Sequence, residues 1–330
     1  MKMKKQYLNA DGSPLSKEDF IEKIKKDREF YDMFKIPFKS VNIKYLVDNG
    51  VHIWDSDAYR WYLKYFKELD YSKIHTCVEL SLEDFIKTIK NNSYETLKSW
   101  FGSISDYALG DLGKVYGYQW RNQNGVDQVR DVIESLRDNP YSRYHIIDGW
   151  NKADFEDMAL PPCHLLYQFI VRPITWRERV DYWFHVKKPN RDVVDAWDED
   201  SKEKQVEYFK NYVPEFYLDL NMYQRSCDSA CGIPFNLASM SLLLEIFSKA
   251  SNMVPGVATW IGGDTHIYVN HIETVKEQIK RTPYKLPKIK ILKDIRTLED
   301  IEKLTIDDFE LSDYQNHSKL DYELFVGLKK

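Results

Sequence analysis

Cysteine is scarce in this chain. Its four cysteines among 330 residues, at positions 77, 163, 227 and 231, are too few and too widely spaced for a disulfide framework, which fits a protein that works in a reducing compartment. No run of about eighteen apolar residues occurs, so no membrane-spanning helix is expected. The basic start (Lys2, Lys4, Lys5) is not followed by the apolar stretch of a secretory leader. A basic surplus is missing too: 47 Lys and Arg stand against 52 Asp and Glu, a net charge of −5. Without a basic stripe to neutralise a polyphosphate backbone, neither nucleic acid nor an anionic membrane is an expected partner, and any bound anion must be held by a few placed arginines. A soluble, cytoplasmic protein is the expectation. What the chain does have is apolar and aromatic matter, 43% and 15% of its residues, enough for the core of one large domain.

The stretch that organises the rest is Pro161-Pro162-Cys163-His164. Two prolines hold the backbone extended before the cysteine, and the alternating apolar residues after it predict a strand entering the core. Cys163 then stands at the rigid lip of a sheet, where a cationic neighbour would make it a reactive thiolate. The alternative is a small buried hydrophobe.

Other elements follow from periodicity. Ser16 to Asp19 form a capping box that opens a helix. Residues Tyr59 to Phe66 are dense in aromatics, which reads as core more readily than as a binding platform, and the run from Ser81 to Ile86 reads as a helix with its own capping box. Val126, Val129, Ile133 and Leu136 recur at helical spacing up to Asn139-Pro140. Phe216, Leu218, Leu220 and Met222 alternate with polar residues, a half-buried strand that delivers Arg225. Leu237 to Phe247 is apolar on nearly all sides and predicts a buried central helix. Residues 288–292 and 305–311 read as late strands.

Five motifs in one order carry a resemblance. Gly110-Asp111-Leu112-Gly113-Lys114-Val115-Tyr116-Gly117-Tyr118-Gln119-Trp120-Arg121 precedes Pro161-Pro162-Cys163-His164. Tyr223-Gln224-Arg225-Ser226-Cys227-Asp228, then Gly232-Ile233-Pro234-Phe235-Asn236, then Gly262-Gly263-Asp264-Thr265-His266-Ile267-Tyr268 come after it. In this order the chain resembles the thymidylate synthase family from about Asn42 to about Val326, interrupted by insertions at 57–107 and 172–214. The resemblance implies an α+β fold: a single catalytic domain over 1–330 with a mixed β-sheet backed by helices, two subunits meeting sheet to sheet.

What the resemblance implies for the site is specific. Cys163 is the nucleophile that adds to C6 of dUMP, so that C5 can attack an electrophilic carbon. Arg225 and Ser226 hold phosphate, with Gln224 beside them, and Arg143 reaches across a homodimer to the neighbour's phosphate where relatives have two arginines. His266 and Tyr268 contact the sugar hydroxyl, from one side of a short strand. Asn236 reads uracil, its amide accepting from N3–H and donating to O4; the bland alternative is a helix cap. Tyr116 assists removal of the C5 proton. Trp54 and Asp228 face the co-substrate 5,10-methylenetetrahydrofolate. The catalytic acid is Glu29 by local sequence, or Asp32 by a gap-free count. His164 is a polar contact or a structural histidine. No metal is implied, since Cys227 and Cys231 lack a matching histidine pair.

Departures from the family point to a branch. The N-terminal phosphate loop is unmatched, Asp57 replaces a second tryptophan, Tyr144 replaces the second arginine, and Gly327-Leu328-Lys329-Lys330 extend the tail. A tail that seals the pocket decides whether hydride or water meets the exocyclic methylene. These departures favour a divergent, virus-like deoxyuridylate hydroxymethylase, in the host cytoplasm if viral, giving 5-hydroxymethyl-dUMP. The alternatives are a thymidylate synthase giving dTMP and dihydrofolate, and a non-catalytic nucleotide-binding module.

Overall fold

The strand from Phe216 shows why the chain folds as it does. Its alternation puts Leu218, Leu220 and Met222 on one face, all fully buried, within a strand thirteen residues long. A computed structural model describes residues 42–68, 79–100, 108–184 and 213–322. In chain order the described elements are helices α1 (Lys44–Asp48), α2 (Asp55–Glu68), α3 (Leu82–Asn91), α4 (Tyr94–Lys98), α5 (Tyr116–Asn122) and α6 (Gln128–Asp138), then strands β1 (Ile146–Asp148) and β2 (His164–Pro173). There follow α7 (Trp176–Tyr182), β3 (Phe216–Asp228), α8 (Gly232–Ala250), β4 (Val254–His266), α9 (Ile272–Gln278), β5 (Lys288–Ile291), α10 (Leu298–Glu302) and β6 (Phe309–Ser312). The expected N-terminal helix, Glu29, Asp32, Cys77, Trp197 and residues 323–330 lie outside the described residues.

The described chain forms two compact units. Of the described residues, one takes those from 42 to 119 with Gly149–Pro162, the other Trp120–Asp148 with those from 163 to 322.

The second unit is built on a mixed sheet of order β1-β2-β3-β4. β2 and β3 run antiparallel with Phe169 opposite Leu220, while β3 and β4 run parallel with Met222 opposite Trp260. A parallel pair needs a crossover, and α8 supplies it. Phe247 of α8 stacks on Phe169 with ring centroids 4.7 Å apart, and Val132, Ile133 and Leu136 of α6 join the same core. Each such side chain contributes about 1.5–3 kcal/mol through burial. This matches the α+β expectation.

Three local expectations need correction. Leu237–Phe247 is helical, but Ala238, Ser239 and Ser241 are exposed while Met240, Leu244 and Phe247 are buried; α8 has one buried face, because it covers one side of the sheet. Val126 is exposed and outside α6, since the Asp127 side chain accepts from the Arg130 amide and caps the helix there. The strand expected over 305–311 starts only at Phe309, because Thr305 and Asp308 form a capping box around a short 3-10 turn.

The first unit buries the aromatic stretch as core. Tyr62 lies 5.6 Å from Phe66 and 5.3 Å from Phe85, ring to ring, and Tyr62 and Tyr59 hydroxyls accept from and donate to the Leu80 backbone. Gly113 is required in its motif: with φ +74° it turns the chain against residue 157, where a Cβ would lie 2.0 Å from the Asp157 carbonyl oxygen. Around it Lys114 pairs with Asp154 and Asp157, each at 2.8 Å. The fully buried Gln119 donates to the Lys114 carbonyl and to Asp154 and accepts from Asn151. Much of this motif therefore holds the backbone that carries Tyr116.

Candidate functional site

Cys163 and Arg225 are 62 positions apart in sequence, yet the antiparallel pairing of β2 with β3 makes them neighbours. The Arg225 amide donates to the Cys163 carbonyl at 2.8 Å, and the register breaks between His164 and Leu166. Such a bulge re-aims the side chains beside it, and Cys163 is half-buried at this sheet end. The other described cysteines are poorer nucleophiles. Cys227 is fully buried with its thiol on the Gln224 carbonyl, and burial together with Asp228 pushes the Cys231 thiol above its ordinary pKa.

On the other side of β3, Ser226 pairs with Asp264 and Asp228 with His266 in parallel register. Gly263 lets β4 come this close, since a Cβ there would sit 2.9 Å from the Arg225 carbonyl oxygen. β4 ends at His266, so Tyr268 lies beyond the strand and not on it as expected. The two rings still meet edge to face at 5.0 Å, and His266 Nδ1 lies 3.2 Å from the Asp264 carbonyl oxygen. Burial first, and then the negative charge of Asp228, Cys163 and Asp264, hold the Tyr268 phenol above its ordinary pKa.

Asn236 lies inside α8, past its first residues, and is not a cap. Its Oδ1 accepts from Gln224 Nε2 at 2.9 Å. Gln224 itself is buried, donates a second time to the Ser226 carbonyl and accepts from Trp260 Nε1 at 3.0 Å. Gln224, expected among the substrate contacts, has its amide engaged with three protein groups and orients Asn236. Sequence reasoning missed Trp260; its place in the alternating pattern of β4 was the available signal.

Asp228 accepts from the Ala230 and Cys231 amides at 3.1 and 3.3 Å, shaping the turn between β3 and α8. Its carboxylate also lies 4.0 Å from Nδ1 of the buried His271. Donor atoms of Asp228, Cys231 and His271 fall within 4.8 Å of one another, a group to which Cys227 does not belong. Arg143 and Tyr144 are exposed ahead of β1. In the first unit, Trp54 meets Tyr116 edge to face at 5.9 Å. Asp57 is ion-paired with Arg60, one turn along α2, and burial holds its carboxyl above the usual pKa against that pull.

His164 is enclosed by Trp120 and Tyr167, and its Nδ1 lies 2.7 Å from the Tyr167 hydroxyl. Burial lowers its pKa to about 4, so the ring is neutral at working pH and acts as a structural partner of Tyr167. A histidine whose folded pKa lies below its unfolded value contributes stability that is complete above about pH 6.5 and lost as pH falls toward 4. His145, also lowered by burial, acts in the same direction. Thermal unfolding followed by circular dichroism is expected to show the melting temperature dropping across that window, by the equivalent of at most about 3 kcal/mol from His164. His164→Gln is expected to flatten the profile; an unchanged slope would place the titration elsewhere.

Comparison with known proteins bears on these residues. The profile of the family described as thymidylate synthase matches residues 30–326, a span that begins one residue after Glu29. Over 326 residues the chain is 33% identical to a thymidylate synthase of Mesoplasma florum, covering 98% of this chain and 89% of the relative. A thymidylate synthase of Mycoplasma mobile is 35% identical over 285 residues, 86% of this chain and 77% of its own. One from Saccharomyces cerevisiae is 37% identical over 257 residues, 71% and 73% respectively.

Proposed function

Since this chain belongs to the thymidylate synthase family, a family of one-carbon transferases, we propose that it converts dUMP to dTMP with 5,10-methylenetetrahydrofolate, which leaves as dihydrofolate. The observation that carries the proposal is the hydrogen bond from the Arg225 amide to the Cys163 carbonyl, which sets an arginine beside the candidate nucleophile. In this reading the guanidinium of Arg225 favours the Cys163 thiolate and binds phosphate with Ser226. The thiolate adds to C6 of the pyrimidine, and the electron pair moves through C5 to O4, where the Asn236 amide donates. C5 then attacks the folate-borne carbon, and loss of the C5 proton, assisted by Tyr116, precedes release of the folate and, last, of the cysteine. The co-substrate supplies the carbon and the hydride. Asp228 suits its pterin ring, because a carboxylate accepts from ring N–H groups. Trp54 takes the folate side as well, and His266 and Tyr268 the sugar hydroxyl. Glu29, or Asp32, is the catalytic acid in this reading.

The hydroxymethyl reading loses ground on two counts. The relatives that cover most of the chain are named thymidylate synthases, and the Asp57 carboxylate, its polar novelty, is engaged with Arg60. A homodimer belongs to the same proposal. Ile170, Tyr223, Val257 and Ile261 are all exposed on the sheet, apolar exposure of the kind that marks an interface, and in this reading the exposed Arg143 serves a neighbour's phosphate.

The test is the product. Incubation with dUMP and methylenetetrahydrofolate is expected to yield a methylated nucleotide by mass and stoichiometric dihydrofolate by absorbance. A hydroxymethylated nucleotide with release of tetrahydrofolate would overturn the synthase assignment in favour of the hydroxymethylase.

A further inference from the structure

We infer that His271 is a positioning residue that couples Tyr322, at the start of the C-terminal segment, to the nucleotide side and the folate side of the site at once. The inference rests on the function proposed above. His271 ends the short 3-10 turn Val269–His271 and is fully buried. Its ring meets Tyr268 in a T-shaped pair at 5.7 Å and an interplanar angle of 86°. A second T-shaped pair joins it to Tyr322 at 5.3 Å and 78°. Its Nδ1 faces the Asp228 carboxylate at 4.0 Å. Residues 228, 268 and 322 come from three distant parts of the chain, and this one imidazole touches all three.

The arrangement divides the work of the ring. Edge contacts to Tyr268 and Tyr322 need only an aromatic plane, whereas the approach to Asp228 needs the ring nitrogen. A close-packed contact transmits displacement, because a side chain cannot shift without its neighbours shifting. Seating of Tyr322 therefore biases the Tyr268 hydroxyl and the Asp228 carboxylate, although Tyr322 is not a proposed ligand of either substrate.

A double-mutant cycle on the full-length protein reads this directly, with dUMP binding followed by calorimetry and KM for methylenetetrahydrofolate measured alongside. Tyr322→Ala is expected to weaken dUMP binding about three- to ten-fold, and to have no further effect in a His271→Gln background. His271→Phe keeps the plane and loses the nitrogen, so it is expected to raise KM for the folate by a larger factor than it raises the dissociation constant of dUMP. Equal losses from Tyr322→Ala in both backgrounds overturn the coupling, as does a folded His271→Phe that leaves the folate KM unchanged. Should the histidine variants not fold, Tyr322→Phe against Tyr322→Ala carries the test: identical dUMP affinities overturn it. If the unmodified protein neither binds dUMP nor forms product, the failure lies with the proposed function instead.

Discussion

Cys163→Ala is expected to lower turnover about 10⁴-fold or more, the scale seen when a covalent nucleophile is removed, while dUMP still binds. The reason is the division of labour at the sheet end. In the proposed function Arg225, Ser226 and Asn236 hold phosphate and base from β3 and α8, so truncating a side chain on the far side of the β2–β3 pairing leaves them in place. No described cysteine can take over: Cys227 is buried against the Gln224 carbonyl, and Cys231 is kept protonated by burial and Asp228. Intact-protein mass spectrometry after incubation with 5-fluoro-dUMP and methylenetetrahydrofolate should show a covalent adduct on the unmodified protein and none on the variant. An adduct on Cys163→Ala would mean that the nucleophile has been misassigned.

Asn236→Asp is expected to reduce kcat/KM for dUMP by about 10²–10⁴-fold and to shift preference toward dCMP. An amide can donate to O4 while accepting from N3–H; a carboxylate can only accept, which leaves O4 facing an oxygen and suits the exocyclic amine of cytosine. The substitution keeps the acceptor that Gln224 Nε2 needs, so the Gln224–Trp260 chain behind it stays satisfied and the change is confined to the base. Competition between dUMP and dCMP, read by product mass, measures the switch. Unchanged preference would show that Asn236 does not read the base, and Gln224→Ala should then be examined for the same defect.

The candidate site was readable in unequal parts. Cys163 after two prolines, Arg225 at the end of an alternating strand and Asn236 after Gly232-Ile233-Pro234-Phe235 all stand in short motifs whose local pattern survives in the fold. For Gln224 the motif suggested a substrate contact and could not show that its amide is engaged by groups at 226, 236 and 260. Asp57 was read as the replacement of a second tryptophan, although Arg60 three residues on was a helix-spaced partner visible in the sequence. His271 carried no signal at all, since nothing near it in the chain announces Tyr322 or Asp228.

The mixed α and β character and the aromatic core at residues 59–66 were determined by the sequence alone, because apolar periodicity and capping act over a few residues, and short motifs supplied the candidates for covalent pyrimidine chemistry through their resemblance to a family. Which of those residues are already engaged with one another was decided only by tertiary structure. Strand register joins positions dozens of residues apart, and a hydrogen-bonding group has a fixed number of partners, so its function depends on which distant neighbours have taken them.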